Sequence, residues 1–360
     1  MANPLKRLNQ WFSMIQGVPL SQKIFFVQNL QVMIKAGLPL AQALNALTAQ
    51  STNAKLKRIT LDAYQQIEAG QTLSTVLAKY PRVFPKVFIA MIRAAEVSGN
   101  LENILGQLVI QMKKDYELIS KVKGAMTYPV VVLIAMIGIG IGMMIFVIPK
   151  ITSIFTEMAA QLPLPTRLLI GLSNFVNYHG IITGAIVIIL TAAVVIFIRH
   201  PRGQYLFHRL LLHSPVIGPI IKKINLARFA RTLNSLIKTD IPIVQSFQIT
   251  AHVVGNLIYR EIITATGREL KTGSTINAPL SQHADLFPPV VTQMIQVGEQ
   301  SGNLEELFDE LATFYENDVH ETMNNLSSII EPVLIVILGI AVAAMAIAII
   351  MPMYSLTSQI

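Results

Sequence analysis

Cysteine is absent from all 360 residues, and charge is scarce, with Asp, Glu, Lys and Arg making up only 13% of the chain. The first absence excludes disulfide scaffolds, thiolate zinc sites, iron–sulfur clusters and cysteine nucleophiles. The second argues against an ordinary soluble domain, in which about a quarter of residues are charged, and 52% of this chain is hydrophobic. No GxxxxGK[ST] loop occurs, so the chain does not hydrolyse nucleotide by that route. The histidines (His179, His200, His208, His213, His252, His283 and His320) show no HExxH or other strong ligand spacing and read as surface or interface residues. No Lys or Arg follows Lys271.

What is present is apolar length. Residues 130–148, 180–198 and 333–351 contain no Asp, Glu, Lys, Arg or His, and each approaches the roughly 20 helical residues needed to cross a hydrocarbon core. Ion and proton pathways need ionisable groups in the bilayer, so spans without them argue against a transporter or pump. Gly138, Gly140 and Gly142 in the first span either admit a close neighbouring helix or are simply tolerated there. Basic flanks orient the spans, because Lys and Arg near a span stay in the cytoplasm. Lys113, Lys114, Lys121 and Lys123 precede the first span; Arg199, Arg202 and Arg209 follow the second. The loop of residues 150–179 and the tail 353–360 are therefore expected outside, and the soluble mass inside. The first 16 residues carry Lys6 and Arg7 without an apolar core or cleavage site, so no signal peptide is expected and the N-terminus is placed in the cytoplasm.

The soluble mass is duplicated. Adding 203 to a residue number in the first half lands on a like residue without a gap: Phe26 on Phe229, Leu30 on Leu233, Lys35 on Lys238, Pro39 on Pro242, Gly70 on Gly273, and Phe84–Pro85 on Phe287–Pro288. The membrane junctions agree as well, Pro129 with Pro332 and Pro149 with Pro352. Apolar residues at 26, 30, 33 and 34 follow helical spacing, and no alternating strand pattern appears. The chain is expected to be all-α: two homologous cytoplasmic bundles of about six helices each, of a size that folds independently, with three transmembrane helices. The expected boundaries are an N-terminal segment 1–19, helical domains 20–128 and 200–332, transmembrane helices 129–149, 180–199 and 333–352, an outer loop 150–179 and a short tail 353–360. One long helix is expected to run from Leu101 into the first span with a kink near Pro129, and likewise through Pro332.

The densest match joins AEVSGNLE, residues 95–102, to GEQSGNLE, residues 298–305. The pattern reads as a helix–turn–helix corner. Gly99 and Gly302 suit a left-handed C-terminal position, and Asn100 and Asn303 are placed to cap the next helix through their side-chain oxygens. Glu96 and Glu299 sit at the unfavourable C-terminal end of a helix, where the exposed amides of the following helix are the expected compensation. A structural role is the first reading of this corner; partner contact or metal binding are the others.

Two further patterns carry less. Ser235 to Lys238 reads SxxK and Lys271 to Gly273 reads KTG, as in penicillin-binding enzymes, but the Ser-x-Asn element between them is missing. Lys55, Lys57, Arg58, Lys79, Arg82 and Lys86 make the first half basic: residues 1–128 hold 15 Lys and Arg against 6 Asp and Glu, while residues 199–331 hold 11 against 13. Without aromatic interleaving this is a solvated face near anionic headgroups, or a docking surface for an acidic partner.

The doubled helical domain, its AGLPL turn at residues 36–40 with a second copy at 239–243, the VFP turn and the E-x-SGNL corner resemble the type II secretion system F family, which includes type IV pilus platform proteins. The resemblance covers roughly residues 20–355. Two departures are a leading segment shorter than in some members and Asp240 in place of Gly37. The resemblance implies a non-enzymatic, homo-oligomeric platform in the inner membrane without cofactors. Its implied partners are a cytoplasmic ATPase, pilins or pseudopilins, other inner-membrane machine components and lipid, with no direct nucleic-acid contact. A membrane scaffold or receptor that anchors a cytoplasmic complex is the alternative. Glu96, Gly99, Asn100, Glu299, Gly302, Asn303, Pro129 and Pro332 are the candidate structural or partner-contact residues.

Overall fold

The computed structural model describes residues 17–157 and 164–357, and every regular element among them is helical. The expectations placed on residues 1–16, with Lys6 and Arg7, and on the end of the tail lie outside the described residues. The chain divides into two compact units: residues up to Ser120 with His208–His320, and Lys121–Phe207 with the residues from Glu321 onward.

In the first unit, the first copy comprises α1 (Leu20–Lys35), α2 (Leu40–Gln50), α3 (Ala54–Glu68), α4 (Leu73–Ala78), α5 (Lys86–Ser98) and the start of α6 (Leu101–Gly142). Local chemistry sets these boundaries. Pro19, Pro39 and Pro85 precede α1, α2 and α5, and the Asn53 side chain caps α3 by accepting from the N–H groups of Lys55 and Leu56 at 3.0 Å. Gly37 ends α1 at φ 82°, where the N–H of Leu38 reaches back to the Met33 carbonyl and that of Gly37 to Ile34. Phe26 and Leu30 are buried and Met33 and Ile34 half-buried on one stripe of α1, with Phe26 6.0 Å from Phe84 between ring centres. Burying each such side chain contributes about 1.5–3 kcal/mol.

The second copy repeats this plan in α11 (Ile217–Ile237), α12 (Ile243–Thr250), α13 (Leu257–Glu269), α14 (Asn277–Ser281), α15 (Pro289–Ser301) and the start of α16 (Leu304–Thr357). Phe229 stands where Phe26 does, and its ring meets Phe247, Phe287 and Phe308 edge-on at 5.4–6.0 Å. Asp240 takes the place of Gly37 and adopts φ 57°, closing α11 with the same two backbone bonds, Ile241 N to Leu236 O and Asp240 N to Ile237 O. Each copy keeps a core of its own, but the two are in contact. Leu236, Ile241 and Ile249 of the second copy are buried within the first copy's core.

Among the described residues three helices are long and apolar enough to cross a membrane, within Leu101–Lys150, Ile182–Arg199 and Leu304–Ile347. α6 and α16 are each unbroken from the corner into the apolar run, with Pro129 and Pro332 inside them. The described residues on either side of 158–163 in the expected outer loop are helical almost throughout. α6 passes through a π-helical turn, Met143–Val147, into α7 (Ile148–Glu157), and α8 (Leu164–Tyr178) precedes α9 (Gly180–Arg199) and α10 (Pro201–His213). The π turn has a local cause. Ile148 N donates five residues back to Met143 O, and Pro149 has no N–H to continue that pattern. The carbonyl of Met144 accepts instead from Ser173 Oγ at 2.6 Å and Asn177 Nδ2 at 3.1 Å on α8. The junction of α9 with α10 is tight, since a Cβ at Gly203 would lie 1.9 Å from the Phe197 carbonyl oxygen.

Candidate functional site

At the α5–α6 corner Gly99 adopts φ 68° and Asn100 N reaches the Ala95 carbonyl at 3.1 Å; at the α15–α16 corner Gly302 adopts φ 73°. The left-handed geometry is as the motif demands, but two expectations about its neighbours are corrected. The compensating amides for the glutamates come from the short helix before, not from the helix after. Glu96 accepts from Ser74 N at 3.1 Å and Ser74 Oγ at 2.5 Å at the start of α4. Glu299 accepts from Ile276 N at 2.5 Å and Asn277 N at 3.2 Å at the start of α14. The chain thus offsets the negative end of one helix with the positive end of another, joined by a charge-assisted bond. Asn303 also acts otherwise than expected, donating its side-chain amide to Glu306 in the first turn of α16, while at Asn100 the backbone carbonyl accepts from Ile104 N at 3.3 Å.

Both corners carry a second repeated bond. Lys35 faces Glu102 at 3.8 Å and Lys238 faces Glu305 at 3.9 Å, tying α1 to α6 and α11 to α16. Among the described residues no group of three or more His, Asp or Glu is placed to hold a metal. Pro129 and Pro332 lie farther along the two long helices, away in sequence from the corners they follow.

The polar residues that join the two copies were not singled out from sequence. Gln111 of α6 is 8% exposed; its Oε1 accepts from Ser235 Oγ at 2.7 Å and its Nε2 donates to Thr232 Oγ1 at 3.3 Å. The hydroxyl of the SxxK pattern is thereby engaged in a bond between copies, while Lys238 faces Glu305 and Asp309. Arg228 pairs with Asp115 at 3.0 Å. Arg231, nearly buried, holds Glu316 through Nε at 2.7 Å and Nη2 at 3.0 Å, and Asp309 through Nη1 at 2.6 Å. Burial opposes its charge, but the bonds and charges of Glu316 and Asp309 outweigh that and raise its pKa. Glu316 also faces Lys114 of the first copy at 3.4 Å, so one carboxylate links both copies. The signal for these residues was a break in the repeat: Arg231 stands opposite Gln28, and Gln111 opposite Phe314.

Beside this contact lies a cleft of about 960 Å³, walled by Phe84, Phe88, Leu108, Met112 and Ile249, with Lys23, Lys86, Arg93 and Arg228 against the single carboxylate of Asp115. Burial and the Lys55 charge hold the Lys23 pKa below the ordinary lysine value. Burial, with Lys86 and Arg260 adding to it, lowers the pKa of His252, whose Nε2 is 3.3 Å from Lys86 Nζ. The arrangement favours apolar groups and anions over cations.

Comparison with known proteins adds a family. The sequence pattern of type II secretion system protein F matches residues 26–149 and again 229–352, two segments in the same register as the internal repeat. A type IV pilus assembly protein PilC of Myxococcus xanthus (strain DK1622) is 33% identical over 345 residues, covering 96% of this chain and 82% of the relative. A protein of that name from Thermus thermophilus is also 33% identical, over 95% of this chain and 84% of the relative. A type II secretion system protein F of Vibrio cholerae serotype O1 is 30% identical, over 97% and 86%.

Proposed function

The chain belongs to the type II secretion system protein F family, and from that premise we propose that it is the inner-membrane assembly platform of a type IV pilus or type II secretion machine. In this reading a cytoplasmic ATPase acts on the first unit, and the chain, as a homo-oligomer, passes that action to pilins or pseudopilins at the membrane. Both helical copies and the N-terminus face the cytoplasm. The observation that carries the reading is the continuity of α6 and α16, each of which begins inside a soluble core and runs without a break into an apolar segment. A tilt imposed on the core end of such a helix is carried along it as far as the points where its hydrogen-bond ladder is interrupted, since sharp bends occur there. Pro129 and Pro332 are the interruptions.

Deletion of the gene is expected to abolish filaments or secretion, and the tagged chain to co-purify with an ATPase and pilins. Normal filaments and secretion in the deletion strain would leave only a scaffold that anchors other components. Pro129→Ala with Pro332→Ala is expected to lower filament assembly at normal expression. Orientation is testable because the chain lacks cysteine: single cysteines on either copy are expected to react with a membrane-impermeant maleimide only after the membrane is opened.

A further inference from the structure

The contact between the two copies is head-to-tail: α11 of the second copy lies on α6 of the first through Gln111, Thr232 and Ser235. Such a contact uses two different surfaces, so a duplicated chain retains one unused example of each. Subtracting 203 from Arg228, Thr232 and Ser235 gives Phe25, Asn29 and Val32 on α1; adding 203 to Gln111 gives Phe314 on α16. Of these equivalent positions Phe25 is 54% exposed, Val32 57% and Phe314 55%, and Asn29 is half-buried.

We propose that a second copy of this chain places its α1 face, Phe25, Asn29 and Val32, against Phe314 on α16 of its neighbour, repeating between chains the contact that α11 makes with α6 within one. The chemistry of the two sets differs in a correlated way. Inside the chain the contact is polar and its hydrogen bonds are satisfied; at the equivalent outer positions Gln111 is replaced by Phe314, Ser235 by Val32 and Arg228 by Phe25. An apolar centre is what drives association between separate chains. Exchanging the two contacts would set Val32 in the place of Ser235 and leave the buried Gln111 Oε1 without that donor, which keeps the internal and external pairings distinct.

Charge supports the same occupant. Around Phe314, α16 exposes Glu306 and Glu310, and no Lys or Arg occurs after Lys271. The first copy, which would receive this face, has 15 Lys and Arg against 6 Asp and Glu in residues 1–128. The internal ion pair of Lys114 with Glu316 maps onto Asn317 and Lys113, both exposed, so the outer contact again sets a lysine beside the acidic helix.

The inference depends on the proposed function only in taking the chain to be oligomeric, and cross-linking reads the contact itself, whether or not filaments form. In the full-length, cysteine-free chain, Gln111→Cys with Ser235→Cys serves as the reference pair and is expected to form a disulfide within one chain on oxidation in membranes. Val32→Cys and Phe314→Cys, carried on separate co-expressed chains, are expected to give a disulfide-linked dimer that neither gives alone. Formation of the 111–235 bond with no 32–314 product would overturn the proposal. So would dimers linked 32–32 and 314–314, which report a two-fold contact. Val32→Glu, which sets a carboxylate against the acidic helix, is expected to lower the mass of the detergent-solubilised oligomer at unchanged helicity; an unchanged mass would also overturn it.

Discussion

Asp240 holds a backbone conformation that its counterpart Gly37 adopts freely, since an L side chain at φ 57° brings its Cβ close to the next carbonyl. The residue is exposed, and the two backbone bonds that close α11 do not involve its side chain. Asp240→Gly is therefore expected to stabilise the detergent-solubilised protein by roughly 0.5–1 kcal/mol, read as a higher melting temperature. His208 offers a pH test. Its Nδ1 accepts the Leu257 N–H at 3.1 Å at the start of α13, and burial, then the Arg260 charge, lowers its pKa below the ordinary 6.5. A lowered folded pKa means that the unfolded chain takes up the proton first, so this contribution is complete above about pH 6.5 and declines as pH falls. Protonation also removes the acceptor and sets a positive charge at a positive helix end. Melting temperature is expected to drop between pH 7.5 and 5.5, with a shallower drop in His208→Asn.

At the scale of helices, the repeated glutamates work between elements and not within their own. Removing the charge by Glu96→Gln or Glu299→Gln turns an amide donor toward the N–H groups of α4 or α14. The expected loss is about 1.5–3 kcal/mol at each site, measured by thermal or chemical unfolding; no change at either would show that the corner is held by packing alone. The turn from α9 to α10 is set by absence of a side chain. Gly203→Ala would press a Cβ into the Phe197 carbonyl oxygen, a backbone atom that has no rotamer by which to yield. Little folded protein is expected in membranes, whereas Gly124→Ala, which meets nothing within 4 Å, should express normally.

For the first unit as a whole, the sharing of Leu236, Ile241 and Ile249 with the first core predicts one unfolding transition for both copies. Gln111 stands at the seam. Gln111→Ala leaves the buried hydroxyls of Thr232 and Ser235 without that partner, and about 1–3 kcal/mol of stability is expected to be lost, seen as a lower melting temperature that the two copies still share.

The helical class, the duplication in its register, the left-handed glycines and the apolar spans were all legible in the amino-acid order. Each follows from local rules: helical spacing, the freedom of glycine at positive φ, or the length of an uncharged run. The sequence also marked Glu96 and Glu299 as misplaced on their own helices, because the helix dipole is a local property. Their partners, Ser74, Ile276 and Asn277, lie more than 20 residues away, and proximity across that distance comes from how the helices pack. The same holds for Gln111 with Ser235, for Met144 with Ser173 and for the burial of Leu236, Ile241 and Ile249 in the first copy's core. Periodicity states which face of a helix is buried; only the tertiary arrangement decides against what, since many pairings of apolar faces bury similar area and the choice among them rests on the fit of particular side chains.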